Sequence, residues 1–256
     1  MLMAKHLIRS LRLKQIVKNG FLFVGLIFSR KFLVYPDNLN VFLGFCCFCL
    51  ISWAVYLFND IQDRELDRNH PKKRNRPIAS GALPVAHAYG WCILLLIVGL
   101  IGSYWIAWSF FIYCVLYIAL NILYSLKLKH VVLLDIMAIS AGFWLRVIAG
   151  TQIIHVQVTH WLIVCSIFLS LFLGFCKRRS EVNLTKKHSR PILKEYSTLY
   201  LDQLIAALTA SVILSYILYT ISDETIARFG TDALLLSAPF VLYGVFRYLY
   251  LIYCQD

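Results

Sequence analysis

Charge is scarce in this chain of 256 residues, and acidic charge is the scarcest. Only 15% of the residues are charged, with 13 Asp and Glu against 25 Lys and Arg, while 60% are hydrophobic. A water-soluble domain of this size carries far more polar surface, because most of its outer face must contact water. The composition therefore excludes an ordinary soluble domain and predicts helices of about 20 apolar residues that cross a membrane.

Long apolar runs follow one another along the whole chain. They predict an all-α, polytopic transmembrane helix bundle of about eight spans, forming one integral membrane domain over residues 1–256. The expected spans cover approximately residues 19–35, 40–58, 84–104, 106–124, 131–150, 159–176, 201–221 and 232–253. The first span is the weakest, because Arg30 and Lys31 interrupt it.

The net charge of +12 fits the predicted topology. Basic residues cluster before the first span and in every second loop, and such residues stay on the cytoplasmic side of a membrane. Both termini and the strongly charged loops are therefore expected in the cytoplasm. No basic stretch is interleaved with aromatic residues outside the apolar runs, so nucleic-acid binding is not expected.

The eight cysteines do not predict a zinc site. Cys46, Cys47 and Cys49 lie within one apolar run, and no histidine accompanies them at ligand spacing. Thiols inside membrane spans behave as small apolar residues, so these cysteines are expected to pack rather than to bind metal.

Ten charged side chains, four acidic and six basic, interrupt the apolar pattern between Asp60 and Arg76. Asp60, Asp63 and Asp67 are spaced so that one face of a helix carries all three carboxylates, and Asn59 lies one turn before Asp63. Stacked carboxylates repel one another unless a cation lies between them, and oxygen ligands of this kind favour Mg²⁺.

Basic residues follow the aspartates at once. They would complement a diphosphate, whose charge a metal ion alone does not neutralise. A solvated loop of ordinary ion pairs is the alternative interpretation. The candidate phosphate-binding residues of this stretch are His70, Lys73, Arg74 and Arg76.

Two further polar clusters lie at or within predicted spans. Tyr124, Lys129, Asp135 and Arg146 follow the fourth span, and the last two lie inside the fifth, where a charged residue is costly and is a functional candidate. A structural ion pair is the alternative for them. Lys177 and Arg178 end the sixth span, where phosphate binding and a charge anchor both remain open.

The run Asn59-Asp60-x-x-Asp63-x-x-x-Asp67 resembles the first aspartate motif of the UbiA superfamily of membrane prenyltransferases. Its continuation, DRNHPKKRNRPIASG, resembles the polyprenyl-phosphate phosphoribosyltransferase branch, also called the decaprenyl-phosphate phosphoribosyltransferase branch. Three other stretches support the same branch: LRLKQIVKN, YSLKLKHVVLLD with GFWLR, and KRRSE. The resemblance implies a UbiA-like helix bundle, although that superfamily usually has nine spans.

The resemblance also implies an activity. Such an enzyme would transfer 5-phosphoribose from phosphoribosyl pyrophosphate to a polyprenyl phosphate, decaprenyl or undecaprenyl, and release pyrophosphate, with Mg²⁺ as cofactor. The product would serve cell-envelope glycan synthesis, and the active site would face the cytoplasm from a bacterial inner membrane. A UbiA-type prenyltransferase that moves a prenyl chain from its diphosphate is the first alternative, and a transporter or structural membrane subunit is the second.

Residue roles follow from the same resemblance. Asn59, Asp60, Asp63 and Asp67 would hold Mg²⁺ and pyrophosphate. The absence of an acidic residue at position 139, after Asp135, argues against a prenyl diphosphate donor. A homo-oligomer is one option for the assembly. The other candidate residues would bind phosphate groups, position the ribose or close the site: Gln15, Lys18, Asn19, His70, Lys73, Arg74, Arg76, Tyr124, Lys129, Asp135, Arg146, Lys177 and Arg178.

Overall fold

The computed structural model describes residues 2–71, 73–156, 159–184 and 191–254, and every regular element in them is helical. Five short or irregular elements are 3-10 helices: Leu13–Phe23, Lys73–Asn75, Leu128–His130, Pro191–Glu195 and Ala233–Ser237. The α-helices, in chain order, are α1 (Leu2–Ser10), α2 (Val24–Phe28), α3 (Asp37–Gln62), α4 (Arg64–Arg68), α5 (Val85–Ile106), α6 (Trp108–Leu126), α7 (Leu134–Ile153), α8 (His160–Leu184), α9 (Thr198–Ile221), α10 (Asp223–Phe229) and α11 (Ala238–Cys254).

Seven helical stretches of the described chain are long and apolar enough to cross a membrane. They coincide with seven of the eight predicted spans, so the prediction of an all-α, multi-span membrane protein is confirmed. Their bounds are Asp37–Gln62, Val85–Ile106, Trp108–Leu126, Leu134–Ile153, His160–Val182, Thr198–Ile221 and Ala233–Cys254.

The first predicted span, residues 19–35, is not one long α-helix in the structure. The chain there forms a 3-10 helix and the short α2, and turns follow from Ser29 to Pro36. Two basic residues, Arg30 and Lys31, end the apolar run before it is long enough for a spanning α-helix. The element also begins earlier than predicted, at Leu13.

This N-terminal segment nevertheless lies alongside α3 from one end to the other. Arg12 forms an ion pair with Asp60 in the last turn of α3. At the opposite end, Lys31 Nζ lies 2.8 Å from a carboxylate oxygen of Asp37 in the first turn. The N-terminal segment therefore runs antiparallel to α3 along the length of that helix, although it does not form a long α-helix.

Two glycines allow the N-terminal segment to approach α7 closely. A Cβ atom on Gly150 would collide with the main-chain carbonyl of Leu22, and one on Gly25 would collide with the side chain of Thr151. Small residues at such contacts let two backbones approach each other within a membrane protein. Replacement of Gly150 would therefore force the backbone of the N-terminal segment to move.

The chain divides into two compact units. The first comprises residues 1–128 and 145–157, and the second comprises residues 129–144 and 158–256. In the first unit, α3 and α5 pack through small and branched side chains such as Ala54, Leu57, Ala88 and Cys92. The expectation of a single domain over residues 1–256 stays a prediction.

The core of the second unit is built from helices α8, α9 and α11 and from the first part of α7. Ile136 of α7 and Phe172 of α8 are almost completely buried there, as are Leu201 and Ile205 of α9. A Cβ atom on Gly174 of α8 would touch the side chain of Ile136, so these two helices are in close contact. This packing holds the beginning of α7, and with it Asp135, in a fixed position.

Candidate active site

The first aspartate cluster lies where α3 ends and α4 begins. Asp60 is in the last turn of α3, Asp63 lies between the two helices, and Asp67 is in α4. The N–H of Asp63 donates to the carbonyl of Asn59 at 2.9 Å, and the N–H of Asp67 donates to that of Asp63 at 2.8 Å. The helical hydrogen-bond pattern thus continues through the break. Asp60 and Asp67 are both 3% exposed, whereas Asp63 is half-buried.

One guanidinium group joins the two buried carboxylates. Arg76 Nη1 lies 3.0 Å from Asp60 Oδ1 and 2.6 Å from Asp67 Oδ2. Arg12 also pairs with Asp60 Oδ1. Charge-assisted hydrogen bonds of this kind are stronger than neutral ones, and they relieve the repulsion between the two acids. A single cation therefore already lies within reach of both aspartates.

The oxygen atoms of this cluster fit a divalent cation. Asn59 Oδ1 is buried and has no hydrogen-bond partner within the described ranges, and it adjoins Asp60 in the sequence. Mg²⁺ usually binds one or two carboxylates and completes its shell with water and substrate phosphate. No group of three or more His, Cys, Asp or Glu side chains in the described part of the chain is arranged as a ready metal site. Asp60, Asp67 and Asn59 would thus form part of a shell that substrate completes.

The basic residues that follow the aspartates differ in their exposure and in their contacts with the two buried carboxylates. Arg76 reaches both buried carboxylates, while Arg74 is exposed and Lys73 is half-buried. His70 Nδ1 accepts the N–H of Lys73 at 3.3 Å, which shapes the turn. Gly81, with φ 79°, then ends the segment in a left-handed conformation that glycine adopts readily.

The exposed side of the same segment forms a separate ion-pair group. Glu65 accepts hydrogen bonds from Arg64 and from Arg68, at 2.6 and 3.1 Å. Contact with Arg64, and to a smaller extent the charge of Arg68, lowers the pKa of Glu65. This group does not include the buried aspartates, so it provides matched positions for control variants.

Arg146 and Asn19 meet inside the first unit. Arg146 is 5% exposed, and its Nε donates to Asn19 Oδ1 at 3.0 Å while its Nη2 donates to the Tyr117 hydroxyl at 2.8 Å. The guanidinium also lies over the rings of Phe48 and Tyr117. Ser52 donates a further hydrogen bond to Asn19 Oδ1 at 3.1 Å. These contacts fix the N-terminal segment to α3, α6 and α7, and substrate contact by Arg146 and Asn19 stays a prediction.

Asp135 and Arg178 form a buried ion pair in the second unit. Asp135 is completely buried, and Arg178 Nη2 pairs with its Oδ2. Tyr196 donates its hydroxyl hydrogen to Asp135 Oδ1 at 2.7 Å and accepts the N–H of Leu133, also at 2.7 Å. On the other side, Arg178 Nη1 lies 2.6 Å from Glu181 Oε2. Both carboxylate oxygens of Asp135 thus have partners. This arrangement favours a role for Asp135 in positioning Arg178 over direct contact of Asp135 with ribose or with a second metal.

Two properties of this second cluster bear on its chemistry. Burial, and then the Asp135 carboxylate, raise the pKa of Tyr196 to about 12 although Leu133 donates to its oxygen. The hydroxyl therefore remains a hydrogen-bond donor at neutral pH. Arg178 Nε is buried and lacks a hydrogen-bond partner within the parts of the chain that the structure describes.

The other predicted residues are distributed over the two units. Gln15 and Lys18 are half-buried in the 3-10 helix Leu13–Phe23 of the first unit, and Tyr124 is half-buried near the end of α6. In the second unit, Lys129 is half-buried, and Lys177 of α8 is exposed and lies 3.9 Å from Glu181. Their substrate-binding roles stay predictions.

Several contacting residues were not among the predicted ones, and they include Arg12, Tyr117 and Tyr196. Arg12 lies within the stretch LRLKQIVKN that carried the resemblance, so the sequence contained a signal for it. Its backbone is left-handed, with φ 53°, a strained conformation that is found at functional sites. Tyr117 and Tyr196 lie far along the chain from the charges that they contact, and no local pattern singles them out.

Known proteins are similar to this chain both in sequence and in fold. The family model described as UbiA prenyltransferase family matches residues 20–255. The chain is 33% identical to the decaprenyl-phosphate phosphoribosyltransferase of Corynebacterium glutamicum over 238 residues, which is 90% of this chain and 71% of that protein. It is 35% identical to the enzyme of the same name from Mycolicibacterium smegmatis over 188 residues, which is 72% of this chain and 59% of that protein.

The fold is similar to that of a UbiA homolog from Archaeoglobus fulgidus solved with DMAPP and Mg²⁺. The TM-score is 0.74 at 18% identity, and the match covers 95% of this chain and 85% of the other. The resemblance that the aspartate motif suggested is thereby confirmed by sequence and by fold. On this evidence, the chain belongs to the UbiA prenyltransferase family.

Proposed function

We propose that this chain transfers 5-phosphoribose from phosphoribosyl pyrophosphate to a polyprenyl phosphate and releases pyrophosphate. Relatives at 33% and 35% identity are named decaprenyl-phosphate phosphoribosyltransferase. The structural observation that carries the proposal is the buried pair Asp60 and Asp67, bridged by Arg76 beside Arg12. Acids and bases that share one small site suit a diphosphate bound together with a cation.

In this proposal the first cluster binds the pyrophosphate of the donor. Asn59, Asp60 and Asp67 hold Mg²⁺, and Asp63 supports them; the fold relatives solved with Mg²⁺ and with Cd²⁺ support a divalent ion. Such an ion would supply positive charge next to the leaving pyrophosphate. The basic residues of the same region bind its phosphate oxygens: Arg12, Lys73, Arg74 and Arg76.

The reaction needs charge stabilisation more than proton transfer. An oxygen of the acceptor phosphate attacks the anomeric carbon, and the bond from that carbon to pyrophosphate breaks with inversion. Both bonding electrons leave with pyrophosphate, so the donors that face it lower the barrier. The acceptor phosphate is already ionised, and no strong general base is required.

The second cluster is assigned to another phosphate group. Arg178, together with its neighbour Lys177 and with Lys129, binds either the 5-phosphate of the donor or the acceptor phosphate. Asp135 and Tyr196 hold the Arg178 guanidinium in one orientation and leave its Nε available. Fixed donors of this kind orient a substrate at little entropic cost during the reaction.

The chain is a multi-span membrane protein, and the substrates suggest where it acts. Phosphoribosyl pyrophosphate is water-soluble, whereas a polyprenyl tail stays in the bilayer. We propose a bacterial inner membrane with the active site on the cytoplasmic face, where the basic loops are expected. A homo-oligomer stays a prediction for the assembly.

The proposal is tested with the purified full chain, radiolabelled phosphoribosyl pyrophosphate and decaprenyl phosphate. The expected result is Mg²⁺-dependent transfer of label into lipid with one pyrophosphate released for each transfer. Asp60→Asn should lower turnover at least about 100-fold, because the variant weakens the site that stabilises the leaving group. Glu65→Gln, on the exposed side of the same segment, should keep wild-type turnover.

Two results would overturn the proposal. Transfer from a prenyl diphosphate but not from phosphoribosyl pyrophosphate would identify the chain as a prenyltransferase of the same family. Wild-type turnover of a folded Asp60→Asn protein would remove the first cluster from the reaction.

A further inference from the structure

We propose that Arg76 couples the binding of the divalent cation to the binding of the diphosphate. Without ligands, its guanidinium occupies carboxylate oxygens that the cation needs. When cation and diphosphate bind together, Arg76 leaves those oxygens and binds the diphosphate. The inference rests on the proposed function, in which this cluster binds a divalent cation. It adds that the cation alone binds weakly and that it binds tightly only together with the diphosphate.

The contacts of Arg76 carry the first step. A single nitrogen, Nη1, contacts Asp60 Oδ1 at 3.0 Å and Asp67 Oδ2 at 2.6 Å. A metal ion that takes one oxygen from each aspartate would need the position of that nitrogen or one close to it. The guanidinium and the cation therefore compete for the same two oxygens.

The charges of the cluster carry the second step. Two buried aspartates face two arginines, Arg12 and Arg76, so their formal charges cancel. A divalent cation added alone would leave these four groups with excess positive charge, which is unfavourable beside two carboxylates that are almost completely buried. A diphosphate that arrives with the cation returns the cluster to near neutrality. The two ligands therefore favour each other thermodynamically, and this coupling is reciprocal.

The surroundings of Arg76 allow the exchange. The aspartates lie on helices α3 and α4 and are 3% exposed, whereas the Arg76 side chain is 28% exposed and lies in the turn after the 3-10 helix Lys73–Asn75. Rotation about its side-chain bonds can move the guanidinium without moving the acids. Asn59 Oδ1 is buried and lacks a hydrogen-bond partner within the described chain.

The test measures binding of Mn²⁺, as a probe for the divalent cation, to the detergent-purified full chain. Water-proton relaxation detects the protein-bound ion, because binding slows its tumbling. The Mn²⁺ affinity is measured with and without pyrophosphate in the wild type, in Arg76→Gln and in Arg64→Gln. Arg64 is the matched control, since it belongs to the same segment but pairs with Glu65.

The proposal predicts opposite shifts in the two conditions. In Arg76→Gln, Mn²⁺ should bind about ten- to a hundred-fold more tightly without pyrophosphate, the range expected for removal of a competing charge-assisted hydrogen bond. With pyrophosphate, it should bind more weakly than in the wild type, because a diphosphate contact is lost. Arg64→Gln should match the wild type in both conditions. Should Arg76→Gln fail to fold, Arg76→Lys provides a second test: it keeps the charge, and its Mn²⁺ affinity without pyrophosphate should stay within about threefold of the wild type.

Unchanged or weaker Mn²⁺ binding by Arg76→Gln without pyrophosphate overturns the exchange. So does Arg76→Lys binding Mn²⁺ about tenfold or more tightly than the wild type. Phosphoribosyl transfer is assayed on the same preparations. Active transfer without the predicted affinity shifts refutes the role of Arg76 alone, whereas absence of both transfer and Mn²⁺ binding refutes the proposed function.

Discussion

Asp135→Asn should destabilise the second unit strongly, because it leaves the charge of Arg178 buried. Arg178 is 4% exposed, and Asp135 is its fully buried partner. Removal of one member of a buried pair costs about 3–5 kcal/mol. Glu181, whose side chain is one-third exposed, still neutralises part of the Arg178 charge in this variant. We therefore expect the free energy of unfolding to fall by about 2–4 kcal/mol. Asparagine can still accept the Tyr196 hydrogen bond, and the substitution therefore isolates the charge.

The assay is a double-mutant cycle of Asp135→Asn and Arg178→Gln, measured by reversible unfolding in mixed detergent micelles. The double variant removes both charges and should cost at least about 2 kcal/mol less than the sum of the single variants. Glu181→Gln should cost no more than about 1 kcal/mol, because its carboxylate is partly hydrated. Additive costs, or an Asp135→Asn cost below that of Glu181→Gln, would refute the assignment of a buried ion pair.

Tyr196→Phe removes a hydrogen bond to Asp135 and should cost about 1–2 kcal/mol at neutral pH. Folding raises the pKa of Tyr196 from about 10 to about 12, so the free energy of unfolding of the wild type should fall as pH rises from about 10 to about 12. Unfolding measured over that pH range should show no corresponding fall in the Tyr196→Phe variant. Gly150→Ala should destabilise by about 1–3 kcal/mol, because its Cβ would meet the carbonyl of Leu22. Gly90→Ala, in a helix with open space at the same atom, should be neutral or stabilising by up to about 1 kcal/mol, and equal effects at the two glycines would contradict the close approach.

The spanning helices could be predicted from the sequence because hydrocarbon imposes a simple rule on composition and length. In the part of the chain that the structure describes, seven apolar runs satisfy it, and seven helices form there. The segment Leu13–Phe28 could not be predicted in the same way. Its path depends on Arg12 meeting Asp60 and on Gly150 accommodating Leu22, and both contacts join residues that are distant in the chain.

The candidate site shows the same division. The spacing of Asp60 and Asp67, which lie about two helical turns apart, could be predicted, since it follows from local geometry. The sequence also marked Arg76 as a basic neighbour, but not as the group that bridges the two acids. Tyr196 could not be found locally, because a single tyrosine after a basic segment carries no periodic signal.

By itself, the sequence determined the class of protein, the position of its spans and the chemical types gathered at the first aspartate motif. Those properties depend on composition and on spacing within one helix. Only the tertiary structure decided which charge neutralises which: Arg12 and Arg76 for Asp60, and Arg178 for Asp135. The physical reason is that a buried charge selects its partner by distance in space, and that distance is set by the packing of helices rather than by the order of residues.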